Sequence, residues 1–182
     1  MIIIILMALI PALIIIACVS IFSFIRAFID RILFYKRIDK LCKAKKYKIS
    51  FARNPLASLL GYSAKPDIVI KTSAKNYLVR IITCNDRFLF YKFPSPEWYI
   101  SYERIISVPI NPTGRFKHLP PFKEEYYNKS DCIENKLVMI FAPCVPKISY
   151  LSESYTQRNI AERSDTISKW AVRSTKDLLS EL

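Results

Sequence analysis

Few residues in this chain of 182 have the types and spacing that catalysis requires. His118 is the single histidine, and a Ser-His-Asp or Cys-His device would have to use it. It follows Arg115 and Lys117 in the proline-rich segment RFKHLPP, a context that is typical of a surface residue. We therefore predict no catalytic role for His118.

The sequence also offers little for a cofactor or a metal. Its two glycines, Gly61 and Gly114, are too far apart to form a P-loop or a G-x-G-x-x-G fingerprint. No C-x-x-C pair occurs, and with widely spaced cysteines and one histidine a Cys/His zinc site has few ligands to draw on. We predict no cofactor and no metal. We favour a non-enzyme, and the open alternative is an enzyme whose site is built from scattered Glu, Tyr and Ser residues. Reduced thiols are expected at Cys42, Cys84, Cys132 and Cys144.

Asp67 stands in the most suggestive pattern of acidic and basic residues. Pro66-Asp67 opens one predicted strand, and Leu78 and Arg80 lie in the next. This hairpin resembles the PD-(D/E)xK nucleases, in which an Asp and an acidic-x-Lys pair on adjacent strands bind Mg²⁺. Leu78 replaces the second metal ligand, and one carboxylate holds Mg²⁺ poorly. The resemblance implies an inactive relative that binds nucleic acid. The alternative is that Asp67 caps a turn and stabilises the fold by about 1 kcal/mol.

Aromatic residues alternate with cations in RFLFYKF, residues 87–93. Platforms that stack single-stranded nucleic acid have this composition. Strands that pack on a core have it as well, so we do not expect nucleic acid as the partner. A solvent-facing Tyr91 or Phe93 beside Arg87 would distinguish the two interpretations.

The first predicted element is an uncharged stretch, residues 2–25, with the sequence IIIILMALIPALIIIACVSIFSFI. At 1.5 Å per residue this stretch would be about 36 Å long, enough to cross a hydrocarbon core of about 30 Å. Residues 2–25 are therefore predicted to form a transmembrane helix, in which Pro11 is tolerated. Cys18 also fits the loose pattern before the lipidated cysteine of bacterial lipoproteins. Apolar residues continue after it, however, and no basic residue precedes the stretch.

Much of the net charge of +13 lies directly after this stretch. By the positive-inside rule, residues 49–182 should be cytoplasmic and the N-terminus outside, in a single-pass protein of the cell membrane. Helical spacing of apolar residues continues and predicts a basic amphipathic juxtamembrane helix over residues 26–48. This helix would lie on anionic lipid, or pack on the domain with solvated lysines, and the two can hold at once. We favour contact with lipid. The predicted contacts with lipid headgroups are Arg26, Arg31, Lys36, Arg37, Lys40, Lys43, Lys45, Lys46 and Lys48.

The hydrophobic period changes to two beyond this helix, which predicts strands. The predicted strands cover residues 67–70, 77–83, 87–93, 136–141 and 147–151. The pattern also allows short strands at residues 98–102 and 105–108, within a proline-rich segment that is mostly loop. Short connections between the first three predict an antiparallel β-meander. Residues 165–175 fit a strand or a helix, and we predict a strand followed by a short helix that ends at Leu182. Residues 49–182 should thus form one cytosolic α+β domain.

Over its whole length the chain resembles small single-span membrane proteins of Gram-positive bacteria without assigned function. The shared features are the anchor, the basic helix, the strands PDIVI and YLVRII, and the terminal strand and helix. The resemblance implies this architecture and no activity. The sequence therefore predicts a binding or scaffolding module at the bilayer, with anionic lipids and an unknown protein as partners. The alternative is a decayed PD-(D/E)xK-like domain that binds nucleic acid near the membrane.

Overall fold

The computed structural model describes residues 2–84, 89–92, 98–101, 116–126, 134–143, 147–151, 158–161, 165–167 and 169–182. The helices in these ranges are α1 (Ile2–Ala44), α2 (Pro55–Leu60) and α3 (Thr175–Glu181), with a 3₁₀ turn at Glu124–Tyr126. The strands are β1 (Lys48–Phe51), β2 (Ile68–Lys71), β3 (Lys75–Cys84), β4 (Leu89–Lys92), β5 (Trp98–Ser101), β6 (Phe116–Leu119), β7 (Glu134–Pro143), β8 (Lys147–Leu151), β9 (Arg158–Ala161), β10 (Thr166–Ile167) and β11 (Trp170–Ser174). The α+β class predicted from sequence is confirmed.

Helix α1 is continuous from the uncharged stretch into the basic one. In the described part of the chain it is the one helix that is long and apolar enough to cross a membrane. Its apolar window has a mean hydropathy of 2.2, and none of that window is buried against the rest of the protein. Large apolar side chains such as Ile16 and Phe22 are more than 60% exposed. Such exposure in water would be unfavourable, and a bilayer would remove it.

The second half of α1 packs on the domain. Phe34, Tyr35, Ile38 and Cys42 are all buried, and they belong to a core cluster together with residues of the strands. Their spacing places them on one side of the helix. The sequence left open whether this helix lies on lipid or packs on the domain. In the structure its apolar side packs on the domain.

The predicted antiparallel meander is found only in part, because the main sheet is mixed. Its six strands lie in the order β1-β2-β3-β7-β11-β10. The β1–β2, β2–β3 and β10–β11 pairs are antiparallel, whereas β3–β7 and β7–β11 are parallel. Strand β4, the predicted third strand of the meander, pairs with β5 and β8 in a second, five-stranded sheet of order β6-β5-β4-β8-β9. The expected Asn85-Asp86 turn lies outside the described residues.

The physical reason for the mixed sheet is that β3 and β7 are buried on both faces. Val79 and Ile140 enter the cluster below α1, while Leu78 and Met139 enter a second cluster on the opposite face. Central strands of this kind are typical of parallel sheets covered on both sides. Ile148 of the second sheet is buried in the second cluster, so this sheet contributes to covering the face away from α1.

The end of the chain follows the sequence prediction of a strand and a short helix. Strands β10 and β11 form a tight antiparallel pair, and Lys169 between them has a φ of 70°. Ser174 and Asp177 then cap α3 reciprocally, each side chain accepting the other's backbone N–H. Strands β1, β6 and β9 were not predicted from sequence.

Candidate functional site

Asp67 immediately precedes β2 and is 1% exposed. Its Oδ2 accepts a hydrogen bond from the backbone N–H of Ile81 at 2.7 Å, and its Oδ1 pairs with Nη1 of Arg53 at 3.1 Å. Burial raises the pKa of Asp67, while the Ile81 N–H and the charge of Arg53 oppose that rise. The residue is therefore neither an exposed turn cap nor a carboxylate open to solvent.

Arg31 reaches the same place from α1 and is 3% exposed. Its guanidinium donates to Ser58 Oγ, to Thr83 Oγ1 at 2.5 Å and to the carbonyl oxygen of Ile81 at 3.3 Å. Burial lowers the pKa of Arg31, and the charge of Asp67 opposes that effect. The predicted lipid contact does not extend to Arg31, because its charge is turned into the domain.

Tyr35 and Arg53 complete this buried polar cluster, which comprises Arg31, Tyr35, Arg53, Ser58, Asp67 and Thr83. The Tyr35 hydroxyl donates to the carbonyl oxygen of Arg53 at 3.2 Å. Arg53 in turn donates to the carbonyl oxygens of Ala57 and Gly61 at the end of α2. Burial, together with the charge of Asp67, raises the pKa of Tyr35 to about 12. The cluster contains two guanidinium groups and one carboxylate, a donor set that does not suit a divalent cation.

Arg80 lies on the opposite face of the sheet from α1. It is 3% exposed, and it donates to the carbonyl oxygens of Ser63 at 2.8 Å and Pro120 at 2.6 Å. Its guanidinium carbon lies 4.5 Å from the ring centroid of Phe122 and 5.5 Å from that of Trp170. The Asp67–Arg80 pair of the nuclease-like pattern thus has different partners on different sides of the sheet.

Other residues considered from the sequence fall partly outside the described structure. His118 lies in β6 opposite Tyr99, but its side chain is not among those described. The same holds for Tyr91 in β4, while Arg87 and Phe93 lie outside the described residues. Within the described ranges, no group of three or more His, Cys, Asp or Glu side chains could hold a metal. Cys42 is buried and Cys18 is exposed on α1.

Eight of the nine predicted headgroup contacts are exposed, the exception being Arg31. They are spread along α1 and the start of β1, so their distance from the uncharged stretch differs. Arg26 follows it directly, whereas Lys46 lies in the turn after Ala44, the last residue of α1. Ala44 is 19 residues after Ile25, about 28 Å further along the helix. The exposed cations are Arg26, Lys36, Arg37, Lys40, Lys43, Lys45, Lys46 and Lys48.

A cleft of about 320 Å³ lies between α1, α3 and the ends of β3 and β7. Arg26 and Arg37 line it from α1, and Lys176 lines it from α3. Leu33 and Leu179 form apolar parts of its wall. Sequence analysis found the two arginines but missed Lys176, because only the order of the strands brings α3 beside α1.

A second cleft, of about 460 Å³, lies at the other end of the domain. Its cations are Lys45 and Lys46 after α1, Lys48 in β1 and Lys71 in β2. Asn76 at the start of β3 also lines it, whereas Thr83 near the end of β3 contacts Arg31. Strand β3 therefore runs antiparallel to α1, and the carboxyl ends of β3, β7 and β11 face the apolar half of that helix.

Comparison with known proteins adds no assignment: no family model, no curated protein and no solved structure matches this chain.

Proposed function

We propose that this protein is a single-pass membrane protein whose domain is a binding or scaffolding module at the bilayer surface. The observation that carries the proposal is the continuity of α1. Its first half exposes large apolar side chains, and its second half supplies Phe34, Ile38 and Cys42 to the core of the domain. A helix shared in this way fixes the domain directly beside the bilayer, without a flexible linker.

The domain faces the cytoplasm in this proposal. The exposed cations nearest the apolar half are Arg26, Lys36 and Arg37, and cytoplasmic flanks are enriched in such residues. Because Arg31 is buried and hydrogen-bonded, the bias rests on these three and on the lysines that follow.

The exposed cations divide into two groups by their distance from the bilayer. Even with α1 tilted by 40°, Ala44 at the end of α1, next to Lys45 and Lys46, would stand about 22 Å from the end of the apolar stretch. Surface charges are screened within about 8 Å at physiological ionic strength, so lipid headgroups do not account for this group. We assign Lys45, Lys46, Lys48 and Lys71 to contact with a protein partner of acidic character. The cations nearest the apolar half, Arg26, Lys36 and Arg37, are assigned to lipid.

The alternative, a decayed nuclease-like domain that binds nucleic acid, has less support. Its motif residues Asp67 and Arg80 are both buried, and each is hydrogen-bonded to the chain itself. The resemblance to small single-span proteins of Gram-positive bacteria agrees with the proposed anchor and remains a prediction.

Thiol labelling of the full-length chain tests the anchor and its orientation. Ala74, in the turn between β2 and β3, is exposed and suits a reporter cysteine. An impermeant maleimide should label Ala74→Cys only after lysis, above the background of the unmodified chain. The matched variant Ile2→Cys, at the other end of α1, should be labelled in intact cells.

The protein should also stay with the membrane through an alkaline carbonate wash. Labelling of Ala74→Cys in intact cells would overturn the orientation. It would then favour the alternative in which Cys18 is lipidated. Release by carbonate would overturn the anchor itself.

A further inference from the structure

The cleft between α1 and α3 lies at the edge of the domain that faces the apolar half of α1. Arg26, which directly follows that half, lines it, and so does Ile81 near the carboxyl end of β3. Ala142 lines it from the end of β7, which is parallel to β3. Open sheets commonly bind ligands at the carboxyl ends of their parallel strands. If α1 crosses a membrane, this cleft opens at the level of the lipid headgroups.

Three exposed cations converge on the cleft from two elements. Arg26 and Arg37 lie on one side of α1, and Lys176 comes from the first turn of α3. Guanidinium and ammonium groups together suit a phosphate, which accepts several charge-assisted hydrogen bonds. A fourth cation, Arg31, also borders the cleft, but its hydrogen bonds to Ser58 and Thr83 turn it inward.

The remaining lining residues narrow the class of ligand. Leu33, Phe34 and Leu179 give the cleft an apolar wall beside the cations. A free phosphate ion would gain nothing from such a wall, whereas the glycerol and first methylenes of a lipid would be buried there. Asp30 is the one acidic side chain in the lining, and its carboxylate could accept a hydrogen bond from a headgroup hydroxyl. The volume of about 320 Å³ is in the range of small-ligand pockets.

We propose that this cleft binds the headgroup of an anionic, hydroxyl-bearing phospholipid. Arg26, Arg37 and Lys176 hold its phosphate, and Asp30 accepts from its hydroxyl. The proposal rests on the proposed function, because it requires α1 to cross the bilayer. A basic helix attracts anionic lipid in general, through all of its exposed cations. This proposal is more specific, because among the cations only Arg26 and Arg37 of α1 and Lys176 of α3 form the site.

Electron spin resonance of the full-length protein in phosphatidylcholine nanodiscs tests the site. Acyl-chain spin-labelled phosphatidylglycerol and phosphatidylcholine, added in turn, report the fraction of each lipid held immobile. The protein should immobilise phosphatidylglycerol preferentially. Arg37→Gln with Lys176→Gln should lower its relative association constant roughly tenfold or more, at about 1 kcal/mol for each cation near the surface.

The matched control is Lys36→Gln with Lys40→Gln, which removes two exposed charges from α1 outside the cleft. These two lysines contribute only to the general attraction of a basic helix to anionic lipid, so the loss should be several-fold smaller than the loss from the cleft pair. An equal loss from both pairs would overturn the cleft and leave a diffuse basic surface, with the anchor and orientation unaffected. The single variant Lys176→Glu repeats the test if the double variant fails to fold.

Two further outcomes distinguish a lipid phosphate from a soluble phosphate as the ligand of the cleft. Excess glycerol phosphate or inorganic phosphate should leave the immobilised phosphatidylglycerol unchanged, because neither carries the acyl methylenes that contact the apolar wall. Displacement by either would overturn the lipid assignment and indicate a site for a soluble phosphate. An absence of preference for phosphatidylglycerol in the unmodified protein would overturn the site altogether, whereas the carbonate and labelling results would still stand by themselves.

Discussion

Asp67 and Arg31 together complete the hydrogen bonding of one residue at the edge of the main sheet. Strand β2 begins at Ile68, opposite Val79, so the backbone of Ile81 extends beyond it. The carboxylate of Asp67 accepts from the Ile81 N–H, and Arg31 donates to the Ile81 carbonyl oxygen. Buried backbone groups without partners are costly, and here two side chains replace the missing strand. The buried polar cluster is therefore best explained by the architecture of the sheet.

Substitution of Asp67 should consequently cost more than the loss of a turn cap. Asp67→Ala leaves Arg53 and Arg31 without a buried countercharge and should lower the free energy of unfolding by about 3 to 5 kcal/mol. Asp67→Asn keeps an acceptor for the Ile81 N–H and should cost about 1.5 to 3 kcal/mol. Urea unfolding of the full-length chain in mild detergent would measure both.

The matched control for these variants is Asp39→Asn, which removes the exposed ion pair with Lys43 on α1. It should cost less than about 0.5 kcal/mol. A loss from Asp67→Ala as small as this would show that the residue acts only as a surface cap, which is what the sequence suggested.

At the scale of elements, Glu181 holds α3 to the main sheet. Its carboxylate pairs with Lys136 of β7 and, at 3.0 Å, with Nε of Arg173 of β11. Partial burial by itself would raise the pKa of Glu181, but the hydrogen bonds and charges of these two cations outweigh it and lower the pKa. The position of α3 matters because Lys176, its second residue, lines the cleft.

Stability should therefore depend on pH through Glu181. Because its pKa is lowered in the folded state, the carboxylate stabilises the fold fully above the unfolded value of about 4.3, and this contribution is lost as the pH falls through the folded pKa. Glu181→Gln should lower the free energy of unfolding at pH 7 by no more than about 1 kcal/mol and flatten its dependence on acid. Urea titrations between pH 7 and pH 3 measure the difference.

Glu134→Gln is the control for that experiment, since Glu134 pairs with Lys75 but its side chain is 70% exposed. Its effect should be the smaller of the two. Identical pH profiles for the unmodified protein and Glu181→Gln would show that the contacts of Glu181 do not stabilise α3.

At the scale of the whole molecule, the direction of α1 determines which end of the domain lies nearest its apolar half, and hence which end would meet a bilayer that α1 crosses. The helix runs antiparallel to β3, so the carboxyl ends of the three parallel strands face its apolar half and the Lys45–Lys48 region lies at the far end. In the proposed topology, one face of the domain meets the lipid headgroups and the other meets the aqueous phase. The cations of α1 and β1 follow one another closely in sequence, but this arrangement would give them different partners: lipid near Arg26 and a protein near Lys46.

The orientation should depend on the cations near the span more than on the distant ones. Changing Arg26, Lys36 and Arg37 together to Gln should let a fraction of chains insert with the domain outside, because the bias is set within about 15 to 20 residues of the span. Arg31 is left unchanged, since it is buried and its loss would destabilise the fold. Maleimide labelling of Ala74→Cys in intact cells measures the inverted fraction.

Changing Lys45, Lys46 and Lys48 to Gln removes the same charge at the far end and should leave the orientation as it is. Equal inversion by both triple variants would show that total charge, and not its distance from the span, fixes the topology.

Local patterns in the sequence determined a large part of this protein. The uncharged stretch, the continuing helix, most strand segments and the terminal strand and helix follow from periods of 3.6 and 2 and from length. These depend on neighbouring residues, which is why β2, β3 and β7 were found within a few positions. The α+β class followed from the same patterns. The positions of exposed cations on α1 were also evident, apart from Arg31.

Only the tertiary structure decided which of these elements meet. A period of two cannot distinguish an antiparallel neighbour from a parallel one, so the β3–β7–β11 core and the transfer of β4 to a second sheet were not visible in the sequence. Arg31 looks like any other cation of a basic helix until Ile81 and Thr83 are placed beside it. Likewise, Lys176 lines the same cleft as Arg26 and Arg37 only because the fold places α3 beside α1. Contacts between distant segments depend on the packing of the whole chain, and no local pattern encodes them.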